Sequence, residues 1–188
     1  MTKAQLQKNR LNTQSFQAGV STTMEIKIRK FRKADVTQVL ALNRVLHAAH
    51  GVKATITAKQ FVQACLRDRL ADCLVAVAEG KIVSFSNSHD WINLGDGTCI
   101  CTIDQLCTHD KYRRHGIGFA LMRRMAEEAI KRGCSGIEVS AAKDNKAANV
   151  FYKKTGWSSR KSQSNKHILE GKSLPQFVRY HPTIATLP

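Results

Sequence analysis

Proline is scarce in this chain, three residues in 188, and so are acidic side chains, 14 against 30 lysines and arginines. The first scarcity excludes a proline-rich linker or a polyproline recognition tract. No apolar run approaches the length of a membrane span, and no secretory signal begins the chain. The six cysteines form no CxxC pair and have no metal-finger spacing. They are therefore expected to be reduced, buried thiols of a cytoplasmic protein, with no metal site. Aromatic residues make up only 6% and rarely alternate with basic ones, so no known nucleic-acid motif is present.

What is there is a basic chain of net charge +16 with 43% hydrophobic residues, enough for one domain with a sizeable core. Such a charge attracts phosphates, nucleic acids and anionic surfaces. No block of five like charges occurs, and a solvated basic surface is the simpler reading. Residues 1–23 are rich in Gln, Asn, Ser, Thr and Lys and lack acids, which predicts a flexible extension. A single domain is expected over 24–188.

The stretch Thr102–Leu121 carries the chemistry. An apolar strand enters a basic turn, Arg113-Arg114-His115-Gly116-Ile117-Gly118, and the turn opens into a helix. Glycines let backbone approach a ligand, and amides at a helix start point at anions. The arginines add donors suited to phosphate oxygens. A dinucleotide fingerprint would need a third glycine where Leu121 stands. A Walker-type loop ending at Gly171-Lys172-Ser173 would need a glycine where Lys166 stands. What remains is Arg-x-x-Gly-x-Gly, for which a plain basic helix cap is the alternative.

The periodicity extends this reading. Ile117–Arg132 is an amphipathic helix with Leu121, Met122, Met125, Ala129 and Ile130 on one side, stopping at Gly133. A buried strand, Gly136–Ala141, follows. A short helix then runs from Asn145 toward Gly156-Trp157. Upstream, Glu25–Lys30 predicts a strand, Asp35 an N-cap, Thr57-Ala58-Lys59-Gln60 a capping box, and Cys73–His89 a hairpin around Glu79-Gly80. Strands are expected at 98–108, 166–169 and 176–181.

The turn resembles the pyrophosphate-binding turn of the GNAT superfamily of acyl-coenzyme A N-acyltransferases. The segment Asn145–Trp157, with Asn149, Tyr152, Gly156 and Trp157, resembles that family's fourth helix. The resemblance implies an α/β fold: a mixed central sheet with a splayed parallel strand pair and helices on both faces. It implies that acetyl-coenzyme A is the cosubstrate, held by Leu106, Cys107, Thr108, Arg113, Arg114, His115, Gly116, Ile117, Gly118 and Asn145. Asn149 is open between the cofactor side and solvent. Tyr152 matches the family's acid for the leaving thiolate.

Ile103-Asp104-Gln105-Leu106 is similar to a segment of the spermidine/diamine acetyltransferase branch, in which the first acid is a base acting through water. Asp104 is thus the expected base, although Asp replaces Glu and Gln105 replaces a second acid. Glu138 and His109 rank behind it. Asp90 and Trp91 are expected to bind a cationic acceptor. Cys107 could accept an acetyl group, but the resemblance implies direct attack. The expected activity is N-acetylation of a primary amine on a small molecule. A macromolecular amine or aminoacyl-RNA, and a non-catalytic acyl-coenzyme A sensor, are the competing readings. No membrane partner is expected, and family members are often dimers.

Overall fold

The computed structural model describes residues 24–67, 71–160 and 165–170. The expected extension at 1–23 and the expected strand at 176–181 lie outside the described residues. The elements run β1 (Ile26–Lys30), α1 (Val36–Ala49), α2 (Ala58–Arg67), β2 (Ala71–Ala78), β3 (Lys81–Ile92), β4 (Cys99–Thr108), α3 (Ile117–Lys131), β5 (Gly136–Ala141), α4 (Lys146–Lys154), β6 (Ser158–Arg160) and β7 (Asn165–Glu170). They form one seven-stranded sheet, ordered β1-β2-β3-β4-β5-β7-β6. Among the described strands only β4 and β5 are parallel, joined through α3.

Strand alternation sorts side chains onto two faces. Leu74, Ala76 and Ala78 of β2 pack with α3 residues Leu121, Met122 and Met125. Cys73 and Val75 of the same strand pack with Val39, Leu40 and Leu42 of α1 and Phe61 of α2. The sheet therefore has a separate apolar core on each face. Phe61 meets Phe31 and Phe85 edge-on, at 5.7 and 6.5 Å between centroids. The β2–β3 connection is a two-residue turn with Glu79 and Gly80 both left-handed (φ 51° and 72°), which suits the twist of a hairpin.

The capping box at Thr57 forms: Gln60 N–H donates to Thr57 Oγ1 at 3.3 Å, and Thr57 N–H to Gln60 Oε1 at 2.9 Å. Asp35 is the N-cap residue of α1, but its side chain makes no cap bond. Its carboxylate accepts two bonds from Arg29, at 2.6 and 2.9 Å, and one from Arg32 N–H at 2.7 Å. The guanidinium holds the Asp35 carboxyl below the ordinary carboxylate range.

All six cysteines are free; Cys65 and Cys99 are partly buried and the others buried. No helix among the described residues is long and apolar enough to cross a membrane.

The end of α3 is anchored by charge. Arg132 donates to both oxygens of buried Asp90, at 2.5 and 2.9 Å, and reaches buried Asp72 at 3.3 Å. Arg132→Leu would leave two buried carboxylates without this partner. It is expected to cost about 3–5 kcal/mol of stability, read as a lower midpoint in chemical denaturation. An unchanged midpoint would show that the network is energetically neutral.

Candidate functional site

The central parallel pair opens partway along. β4 pairs with β5 only from Ile100 to Ile103, against Gly136 to Val139. At that point β4 also breaks step with β3: Ser88 faces Ile103, Asn87 faces Gln105, and Asp104 is the extra residue between them. This is a β-bulge, which bends and twists its strand. Below it, Cys101 and Ile103 belong to the α3-side core; above it, Cys107 belongs to the α1-side core.

The exposed edge of β4 follows from hydrogen-bond alternation. His109 N–H donates to Val83 O at 2.9 Å, and Cys107 and Gln105 sit opposite Phe85 and Asn87 in the same register. In an antiparallel ladder every second residue turns its N–H and C=O to the partner. Cys107 and Gln105 thus face β3, while Leu106 and Thr108 turn theirs toward the gap beside β5. The Thr108 carbonyl accepts a bond there from Arg113 Nε at 3.2 Å. The structure thereby removes Cys107 from the expected cofactor set. Its backbone serves the ladder, and its thiol points to the other face, donating to Leu42 O at 3.6 Å. Burial pushes that thiol up to about 11, which also disfavours it as a nucleophile.

The basic turn closes one end of the gap. Arg114 and Gly116 are both left-handed (φ 67° and 73°), and Gly116 is the N-cap of α3 without a side-chain cap bond. The first helical bond runs from Ala120 N–H to Gly116 O, so the Ile117 and Gly118 amides precede it. Arg113 is folded back, with NH2 2.6 Å from exposed Asp110. His115 Nδ1 lies 2.8 Å from Arg113 O. A Cβ on Gly118 would sit 3.5 Å from Phe151 and 4.0 Å from Thr108 Oγ1, so α3, β4 and α4 meet here. Left-handed residues, outward amides and the helix dipole make an anion cradle at this end.

The other wall is α4. Asn145 caps it, its Oδ1 accepting Ala148 N–H at 3.1 Å. Asn149 does not face solvent: it is buried and donates to Ala142 O and Asn145 O, both at 2.8 Å. Its Oδ1 is left to accept from His167 Nε2 at 2.9 Å, which makes that nitrogen the donor. His167 Nδ1 is then a bare acceptor with no partner among the described residues. Tyr152 is buried between the rings of Phe151, Trp157 and His167, the last 4.8 Å away. Burial raises the phenol to about 12, so it stays protonated at neutral pH.

On the α1 side of the sheet the polar groups form three short chains. Trp91 Nε1 donates to Thr102 Oγ1 at 2.9 Å, and that hydroxyl donates to buried Glu138 at 3.0 Å. His89 Nδ1 lies 2.9 Å from Asp104 Oδ2, both side chains being partly exposed. Gln105 donates to His47 Nε2 at 3.0 Å. His109 is exposed in the turn and accepts from Lys111 N–H. Asp90 is not among these groups. β3 continues through Ile92, so neighbouring Asp90 and Trp91 point to opposite faces, and Asp90 is committed to Arg132. The expected Asp90–Trp91 pair is therefore not one site. Sequence reasoning missed His89, Thr102, His47 and His167, which only the strand register and helix packing bring in.

The Acetyltransferase (GNAT) family model matches residues 40–157. A comparison with curated proteins gives no match. Among solved structures, the chain is similar to PaiA N-acetyltransferase from Thermoplasma acidophilum in complex with coenzyme A. Identity is 16%, covering 78% of this chain and 99% of that one, with a TM-score of 0.66. It is also similar to an aminoglycoside acetyltransferase from an uncultured soil metagenomic sample in complex with sisomicin: 21%, 73% and 91% covered, TM-score 0.64. Arabidopsis thaliana NAA60 in complex with a bisubstrate analogue gives 14%, 79% and 99%, TM-score 0.64. At these identities the likeness is one of fold.

Burial, helped by Lys153, lowers the His167 pKa below its ordinary 6.5. The unfolded chain therefore binds the proton more readily, so the contribution is complete above pH 6.5 and lost as pH falls from there toward the folded value. His167→Gln is expected to flatten the dependence of stability on pH between about 7 and 5. Denaturant titrations at several pH values check this; parallel curves for both proteins would discard it.

Proposed function

The chain belongs to the Acetyltransferase (GNAT) family, and from that premise we propose that it transfers the acetyl group of acetyl-coenzyme A to the primary amine of a small cationic molecule. It acts by direct attack in a ternary complex. The observation that carries this reading is the opened β4–β5 edge, with Leu106 and Thr108 turning their backbone groups into it beside the uncapped start of α3.

In this reading the pyrophosphate lies at Arg113–Gly118. The Ile117 and Gly118 amides and the Arg114 guanidinium are its donors. The Leu106 and Thr108 groups align the pantetheine arm and the acetyl carbonyl, and an outward N–H receives the developing oxyanion. Asn145 contributes by fixing the start of α4, because its side-chain oxygen is already used as a cap. An alkyl ammonium must lose a proton before it attacks. Asp104 takes it through water, with His89 holding the carboxylate in place. Tyr152, protonated at working pH, returns a proton to the leaving thiolate.

The acceptor's charge is the finer part of the proposal. Asp104 and Glu138 share a sheet face with Trp91 in a chain of net charge +16. That local reversal of sign, with an indole beside it, suits a cation.

Release of free thiol from acetyl-coenzyme A with a panel of small amines tests the reading. Turnover only with peptide or aminoacyl-RNA acceptors would move it to the macromolecular class. Cofactor binding without turnover on any acceptor would leave a sensor.

Gly116→Asp forces a charged side chain into a left-handed position at the anion cradle. It is expected to weaken coenzyme A binding at least about tenfold in calorimetry; normal affinity would remove the pyrophosphate assignment. Tyr152→Phe is expected to lower kcat by roughly 100-fold or more with cofactor affinity kept; unchanged turnover would take Tyr152 out of the mechanism. Asp104→Asn is expected to lower kcat/KM by a similar factor. A larger loss in Glu138→Gln would shift the base to β5.

A further inference from the structure

Cys99 and Cys134 lie outside the groups assigned above. Cys99 opens β4 and Cys134 sits in the turn between α3 and β5, with their Sγ atoms 3.0 Å apart. Backbone bonds bring them together. Ser135 N–H donates to Cys99 O at 2.9 Å, and Cys134 N–H donates to Ala129 O at 3.0 Å. Cys134 is 6% exposed, whereas Cys99 is only partly buried.

Asp90 and Cys101 lie beside Cys134, and Arg132 is bonded to both of them. Asp90 offers an oxygen within 4.8 Å of both sulfurs, so the three could in principle hold a metal ion. Arg132, however, occupies both oxygens of that carboxylate and places its own positive charge beside the trio. A cation would have to break that pair and sit against the guanidinium. Sulfur–sulfur chemistry meets neither obstacle.

The geometry points to Cys99 and Cys134 as a reversible oxidation site, a dithiol that a small disulfide such as oxidised glutathione converts into a bridge between the start of β4 and the turn before β5. The Cys99 thiolate, the one solvent reaches, attacks the glutathione disulfide and expels one glutathione thiolate. The Cys134 thiolate then attacks the Cys99 sulfur and expels the second. Two cysteine thiols are oxidised, one glutathione disulfide is reduced to two thiols, and the two cysteine protons go to the departing thiolates. Burial, with Cys99 and Asp90 beside it, holds the Cys134 thiol well above its ordinary pKa, so it reacts as the intramolecular partner and not as the point of entry. The bridge would clamp the closed end of the β4–β5 pair, next to Ile100 and Gly136.

The test uses the full reduced chain and oxidised glutathione, followed by thiol counting, non-reducing peptide mapping and thermal melts. The expected result is loss of two thiols and a peptide carrying Cys99 joined to one carrying Cys134. Tm should rise by about 5 °C and return on addition of dithiothreitol. Cys134→Ser is expected to stop at glutathione attached to Cys99, with no such rise. Three results in the unaltered chain would overturn the proposal: glutathione persisting on Cys99, both thiols remaining open to alkylation, or a bridge joining other cysteines.

Discussion

The structure depends on one interruption in hydrogen bonding. β4 is a member of the sheet on both sides until Ile103, and on one side only from Asp104 onward. A strand in the middle of a sheet ordinarily satisfies its amides and carbonyls on both edges. Here the bulge at Asp104 bends the strand as pairing with β5 ends. Leu106 and Thr108 are left with backbone groups directed into an interior gap. The α3 crossover starts at the mouth of that gap, because a parallel neighbour has to be reached by such a connection. The anion cradle and the strand gap are therefore two products of one topology.

The two faces of the sheet divide the work. The α3 face is dense and apolar, with Leu121, Met122 and Met125 fully buried over small strand residues. The same face holds Tyr152 and the Asn149–His167 pair that ties α4 to the end of β5 and to β7. The α1 face, near the bulge, is partly polar and partly open, with Asp104, His89, Thr102 and Trp91 linked in short chains. Under the proposed reading, donor groups come from the α3 face and acceptor groups from the α1 face. Repacking α1 or α2 would then alter the choice of amine while leaving the cofactor side intact.

Much of this was legible in the sequence because its signals were local. The strand–turn–helix spacing around Gly116 and Gly118, the amphipathic period of 117–132 and the capping box at Thr57 are read within a few residues, and each element formed. What was not legible depended on register between distant strands. Cys107 enters the cofactor set only through the resemblance, whereas ladder alternation turns its backbone to β3 and leaves Leu106 and Thr108 facing the gap. Asp90 and Trp91 read as one site only if the strand stops at His89; its continuation to Ile92 puts them on opposite faces. Asp35 reads as a cap by position, but Arg29 on a separate strand competes for its carboxylate. His167 carries no local signal, since its meaning comes from β7 lying against β5 under α4.

Asp104 has a structural weight that its exposure conceals. A substitution at 104 changes a side chain, whereas a deletion there changes the sheet. With that residue gone, Ile103 and Gln105 would follow one another in an uninterrupted ladder, and β4 would lose the bend that carries it away from β5. The cleft thus begins where β4 carries an insertion one residue long, at a position whose side chain is partly exposed.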